Sequence, residues 1–146
     1  MSTNNSLANV YLVEDSYGDI VLTKAILKTE KFKLNLFILR DGAAVIDQLE
    51  DCPSDKEPDL ILLDFNLPKV DGVEVMEYLS TGPWRKIPVL IVSGSNAQVD
   101  KDQMVGLGAK HYLKKPFDPH QLMRAVQPLT NIKFESIEGE WHLLRA

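Results

Sequence analysis

The chain has 146 residues, a net charge of −5, 45% hydrophobic and 25% charged residues, and one cysteine. This is one ordinary domain's worth of globular composition. The acidic balance argues against a nucleic-acid surface, which needs clustered Lys and Arg to displace counterions. A lone Cys52 excludes an intrachain disulfide and suits a reducing cytoplasm. No apolar run approaches a membrane span, and the polar segment Met1–Asn9 has neither the basic nor the apolar region of a targeting signal.

In chain order, strand-like and helix-like segments alternate five times. Val10–Val13 reads as a buried strand, followed by a helix over Asp19–Glu30 with Ile20, Ala25, Ile26 and Leu27 near helical spacing. Leu34–Leu39 is a second strand. Arg40-Asp41-Gly42 turns it into a helix bearing Ala44, Val45, Ile46 and Leu49, and the polar, twice-prolyl loop Asp51–Pro58 ends that helix. The run Asp59–Asp64 is the third strand. Asp71-Gly72 opens a helix with Val73, Val75, Met76 and Leu79, and Gly82-Pro83 stops it. Trp84, next in line, reads as an exposed loop aromatic, with a kinase-contact residue as the alternative. Ile87–Val92 is the fourth strand, and the helix after it, reaching about Leu107, is weakened by Gly106 and Gly108. Ala109–Leu113 is a short fifth strand, and Phe117-Asp118-Pro119 caps a last helix over His120–Gln127. Five βα units imply a parallel sheet with helices on both faces. Ile132–Ala146 alternates around Gly139 as a hairpin or an extended arm.

Open α/β sheets carry their chemistry just past the carboxyl ends of the strands. Glu14-Asp15 closes the first strand and Asp64 the third; Ser93 follows the fourth; Lys115 and Pro116, at a bond where cis is cheap, follow the fifth. Three acids, a hydroxyl and an ammonium on one edge can hold Mg²⁺ and accept a phosphoryl group on a carboxylate. Singly, each residue is as well explained as a helix cap, a turn former or a solvated charge. His111, His120 and His142 lack metal-ligand spacing.

Val13-Glu14-Asp15-Ser16, Leu62–Gly72 around Asp64-Phe65-Asn66-Leu67-Pro68, Val92-Ser93-Gly94 and Lys115-Pro116-Phe117 occur in the order of the response-regulator receiver domains of two-component signalling, which the chain resembles from about Val10 to Gln127. It is also similar to the small single-domain regulators paired with phytochrome kinases. The resemblance implies a flavodoxin-like strand order 2-1-3-4-5. It divides the chain into a polar segment 1–9, a receiver domain 10–128 and an extension 129–146 with no output domain. It also implies Asp64 as phosphoacceptor. Glu14, Asp15, Asp64 and the Asn66 carbonyl would surround Mg²⁺. Ser93 and Lys115 would contact the phosphoryl group, Tyr112 would be the aromatic switch, the alternative being an ordinary half-buried strand aromatic, Gly94 would leave room beside Ser93, and cis-Pro116 would aim the lysine. Lys114 is expected to face the other way. The first acid is Glu14 where many relatives have Asp, one methylene shorter.

The expected function is that of a stand-alone, cytoplasmic response regulator. A sensor histidine kinase, a phytochrome among the candidates, would phosphorylate Asp64, and the output would be contact with a downstream protein through helix 4, strand 5 and helix 5. At most it would dephosphorylate itself slowly. The alternatives are a phosphorelay intermediate that passes phosphate to a histidine phosphotransfer protein, and a phosphorylation-independent scaffold. An aspartyl phosphatase is disfavoured because Asn66 replaces the second acid. A flavin site is disfavoured because Glu14-Asp15 would repel phosphate. Ile132–Ala146 is expected either to exchange between two copies of a homodimer or to pack against the chain's own last helix.

Overall fold

The computed structural model describes residues 6–65, 67, 71–94 and 98–146, the side chains of 98–100 excepted. The apolar runs form strands: β1 (Asn9–Val13), β2 (Phe32–Lys33), β3 (Asn35–Leu39), β4 (Leu60–Asp64), β5 (Val89–Ser93) and β6 (His111–Lys114). Between and after them lie α1 (Tyr17–Thr29), α2 (Gly42–Glu50), α3 (Gly72–Ser80), α4 (Gln98–Gly106) and α5 (Pro119–Val126). The five-stranded sheet has the order β3-β1-β4-β5-β6, and every pairing is parallel. With the two-residue β2 set aside, this is the expected order 2-1-3-4-5.

Strand alternation divides the core between two faces. Val10, Leu12, Leu60, Leu62, Leu90 and Val92 meet Leu27 of α1 and Leu122 and Val126 of α5. The intervening Tyr11, Val13, Ile61, Leu63, Val89 and Ile91 meet Val45 and Leu49 of α2, Val75 and Leu79 of α3 and Met104 of α4. Both faces are covered, so the central strands are buried along their whole length. Burying each Leu or Ile side chain contributes about 1.5–3 kcal/mol. Helix starts are set by side-chain caps. Ser16 accepts from Asp19 N–H, Asp41 from Ala44 N–H and Asp71 from Glu74 N–H, and Asp118 forms a capping box with Gln121.

Two features depart from the sequence reading. Trp84 lies in a 3₁₀ turn, Pro83–Lys86, and packs half-buried against the α2/α3/α4 face, so it is not an exposed loop aromatic. Phe32–Lys33, to which the sequence reading gives no element, forms a strand because it has a partner in the C-terminal extension.

That extension is a hairpin of β7 (Ile132–Ile137) and β8 (Glu140–Arg145). Its two-residue turn, Glu138-Gly139, has φ of 52° and 80°, the left-handed pair that a tight hairpin requires. β8 pairs with β2 in a three-stranded sheet, β2-β8-β7. Ile132 and Leu143 enter the core beside α1 and α5. Arg145 Nε donates to Asp59 Oδ2 (2.9 Å), and Asn131 Nδ2 to the Asp59 carbonyl (2.8 Å). Within the chain the extension is a hairpin, the first of the two expected forms, and it is laid on β2 and the core.

Candidate functional site

The carboxyl ends of β1, β4 and β5 and the loop after β6 meet at one edge. Glu14 and Asp15 follow β1, and Asp64 is the last residue of β4. One carboxylate oxygen from each of the three lies within 4.8 Å of the others. Glu14 is 2% and Asp64 7% exposed, whereas Asp15 is open to solvent. Such crowding of like charges is unfavourable without a cation. The donor set consists of hard anionic oxygens, which suits Mg²⁺, Mn²⁺ or Ca²⁺ better than a softer metal.

Lys115 supplies positive charge to the cluster. Its Nζ donates to Glu14 Oε1 and, at 2.9 Å, to Asp19 Oδ2, and it lies 3.5 Å from Asp64 Oδ2. The Lys115-Pro116 peptide is cis. Burial pulls the ammonium's pKa down, but the hydrogen bonds to Glu14 and Asp19 and the charge of Asp64 outweigh it, leaving the pKa above the ordinary lysine range. Lys114, its neighbour, is exposed and pairs in register with Ser93.

Ser93 is fully buried at the end of β5, and its carbonyl accepts from Lys115 N–H at 2.8 Å. That bond ties the serine strand to the lysine loop. Gly94 is exposed, and a Cβ built on it would meet nothing within 4 Å. Tyr112, on β6, is half-buried against the α2/α3/α4 face with Lys101 Nζ 5.5 Å above its ring. Asn66 lies outside the described residues.

Two site residues went unrecognised in the sequence. Asp19 was read only as a helix start, but its place in the first turn of α1 puts its carboxylate on Lys115. Its signal was an acid in the first helical turn after a strand-end acid pair. Arg40 follows β3, and its Nη2 donates to the Asp15 carbonyl at 2.9 Å, pinning the acidic loop. Nothing local marks that role. Glu14 is also held by the Ser16 N–H on its Oε2, at 3.2 Å.

Comparison with known proteins agrees with this geometry. The family model for the response regulator receiver domain matches residues 10–127. Response regulator Rcp1 from Synechocystis is 35% identical over 132 residues, covering 88% of this chain and 90% of that protein. The crystal structure of the Mn²⁺-bound form of Rcp1 is similar at a TM-score of 0.67 and 36% identity, over 82% of this chain and 89% of that one. The bacteriophytochrome response regulator RtBRR is similar at a TM-score of 0.77 and 31% identity, over 91% and 83% of the two chains. A family match running from β1 through α5, on a sheet whose order and strand-end chemistry both conform to it, places the chain in the response regulator receiver domain family.

Proposed function

We propose that Asp64 accepts a phosphoryl group from a sensor histidine kinase in a Mg²⁺-dependent reaction, and that the phosphorylated domain signals by binding another protein in the cytoplasm. The observation that carries this reading is the convergence of Glu14, Asp15 and Asp64 within 4.8 Å, with Lys115 reaching both Glu14 and Asp64. An Asp64 carboxylate oxygen attacks phosphorus. The P–N bond to the donor histidine breaks as the O–P bond of an acyl phosphate forms, and the electron pair leaves with the imidazole nitrogen. Glu14, Asp15 and Asp64 are the residues that would hold Mg²⁺, with Asn66 a further ligand, and the ion supplies positive charge against the phosphoryl oxygens.

Lys115 pairs with a phosphoryl oxygen, shifting from the carboxylates it holds at rest. Ser93 donates its hydroxyl to another, and Tyr112 re-packs as the serine moves. That change is read on the face formed by α4, β6 and α5. The names of the similar phytochrome response regulators support a phytochrome as the kinase. Turnover is limited to slow loss of the phosphoryl group to water.

Incubation with acetyl phosphate and Mg²⁺, followed by intact mass spectrometry, tests the assignment. Wild type is expected to gain one phosphoryl group, Asp15→Asn to need more Mg²⁺, and Asp64→Asn to gain none. Stoichiometric labelling of Asp64→Asn would overturn it.

A further inference from the structure

We propose that the groove between the carboxyl-terminal half of α1 and the free edge of β3 is a second docking surface, and that it takes an extended acidic segment of another protein with apolar side chains between its carboxylates. The groove is a cavity of about 410 Å³ ringed by Lys24, Lys28, Lys31 and Lys33 and floored by Leu27, Phe32 and other apolar side chains. It lies away from the acid cluster. Lys28 is nine residues beyond Asp19 on α1, about 13 Å along the helix axis.

The charge is out of keeping with the rest of the chain. Acids outnumber lysines and arginines 21 to 16 overall, yet four lysines and a single acid, Glu140, line this groove. The fold brings the lysines together from α1, β2 and the turn between them. Lys24 and Lys28 stand one turn apart on α1. Lys31 sits at φ 57°, a conformation that L side chains adopt at a cost, held there because its carbonyl accepts from Trp141 N–H at 2.9 Å. Lys33 is on β2, and its Nζ lies 3.5 Å from Glu140 Oε2. That ion pair illustrates how a carboxylate is held at the rim.

Two observations make the occupant an extended chain rather than a small anion. The floor is apolar, which a bare phosphate has no use for and a peptide's leucines would cover. β3 is the last strand of its sheet, and among the described residues no strand pairs with its outer edge. An unpaired edge offers backbone donors and acceptors to an incoming strand, and alternate side chains of that strand reach the pockets beside it. Concavity favours a segment over a flat anionic membrane.

The test is fluorescence anisotropy with a labelled peptide of alternating Glu and Leu, using the unphosphorylated full chain. Because no phosphoryl group is involved, failure here is separable from failure at Asp64. Binding is expected, weakening as salt rises. Lys24→Glu/Lys28→Glu should weaken it about tenfold, with circular dichroism confirming the fold. Lys86→Glu/Lys110→Glu changes the net charge equally but lies outside the groove, and should leave binding within about twofold of wild type. Equal weakening by both pairs, no binding of the peptide, or binding of phosphatidylglycerol vesicles in its place would each overturn the proposal.

Discussion

Replacing Lys115 with alanine removes the ammonium that ties three carboxylates together. The Glu14 and Asp64 side chains are 3% and 9% exposed and Asp19 is 40% exposed, so the cost arises at Glu14 and Asp64. Breaking a fully buried ion pair costs about 3–5 kcal/mol. The Lys115 side chain is 19% exposed, so water reaches it. Exposed pairs are worth about 1 kcal/mol or less, and the expected loss therefore falls between the two cases, at about 2 kcal/mol. Urea unfolding without divalent cations should show it as a lower midpoint at unchanged slope.

The pH dependence has a definite sign. Lys115's folded pKa is raised, so its contribution is fully present below about pH 10.4 and is lost only as pH rises through the folded value. The gap between wild type and variant should stay flat between about pH 7 and 9. Added Mg²⁺ stabilises whichever state binds it. It should restore more stability to the variant than to wild type, where Lys115 competes for the same carboxylates. A variant as stable as wild type without the cation, or equal stabilisation of both by Mg²⁺, would refute this account.

Other perturbations probe the frame. A Cβ on Gly72 would stand 2.7 Å from the Phe65 carbonyl oxygen; backbone faces backbone, so Gly72→Ala is expected to cost about 2 kcal/mol in urea and to slow acetyl phosphate labelling of the adjacent Asp64. Tyr11 OH donates to the Lys56 carbonyl at 2.7 Å, and Tyr11→Phe should cost about 1 kcal/mol by thermal or urea unfolding. Burial raises that phenol's pKa, so its contribution holds below about pH 10 and fades as pH rises through the folded value. Ultraviolet titration of wild type should show a late phenol step that the variant lacks. Arg145→Ala removes the bond to Asp59 and a 3.4 Å contact with the Asp55 carbonyl, for about 1 kcal/mol. It should also speed hydrogen exchange at the Ala8 amide, which bonds the Leu143 carbonyl at 2.7 Å.

Much of this protein was legible from local pattern. Apolar runs such as Leu60–Leu63 and Val89–Val92 mark buried parallel strands wherever they occur, because side chains alternate between two covered faces. Asp41, Asp71 and Asp118 announce helix starts because a short acceptor satisfies amides that the helix leaves unpaired. The positions of Asp64, Ser93 and Lys115 at strand ends followed from those runs.

Tertiary structure decided what no window of sequence contains. Lys115 and Glu14 are 101 residues apart, and they meet only because β1 and β6 close into one sheet. Asp19 and Arg40 entered the site the same way, as did Trp84 its half-buried place. Ile132–Ala146 read equally as arm or hairpin. Its alternation specifies a strand's two faces but not which surface covers them, and that choice was made by Phe32–Lys33, Leu7 and Asp59, residues distant in sequence that the folded sheet brings to its side.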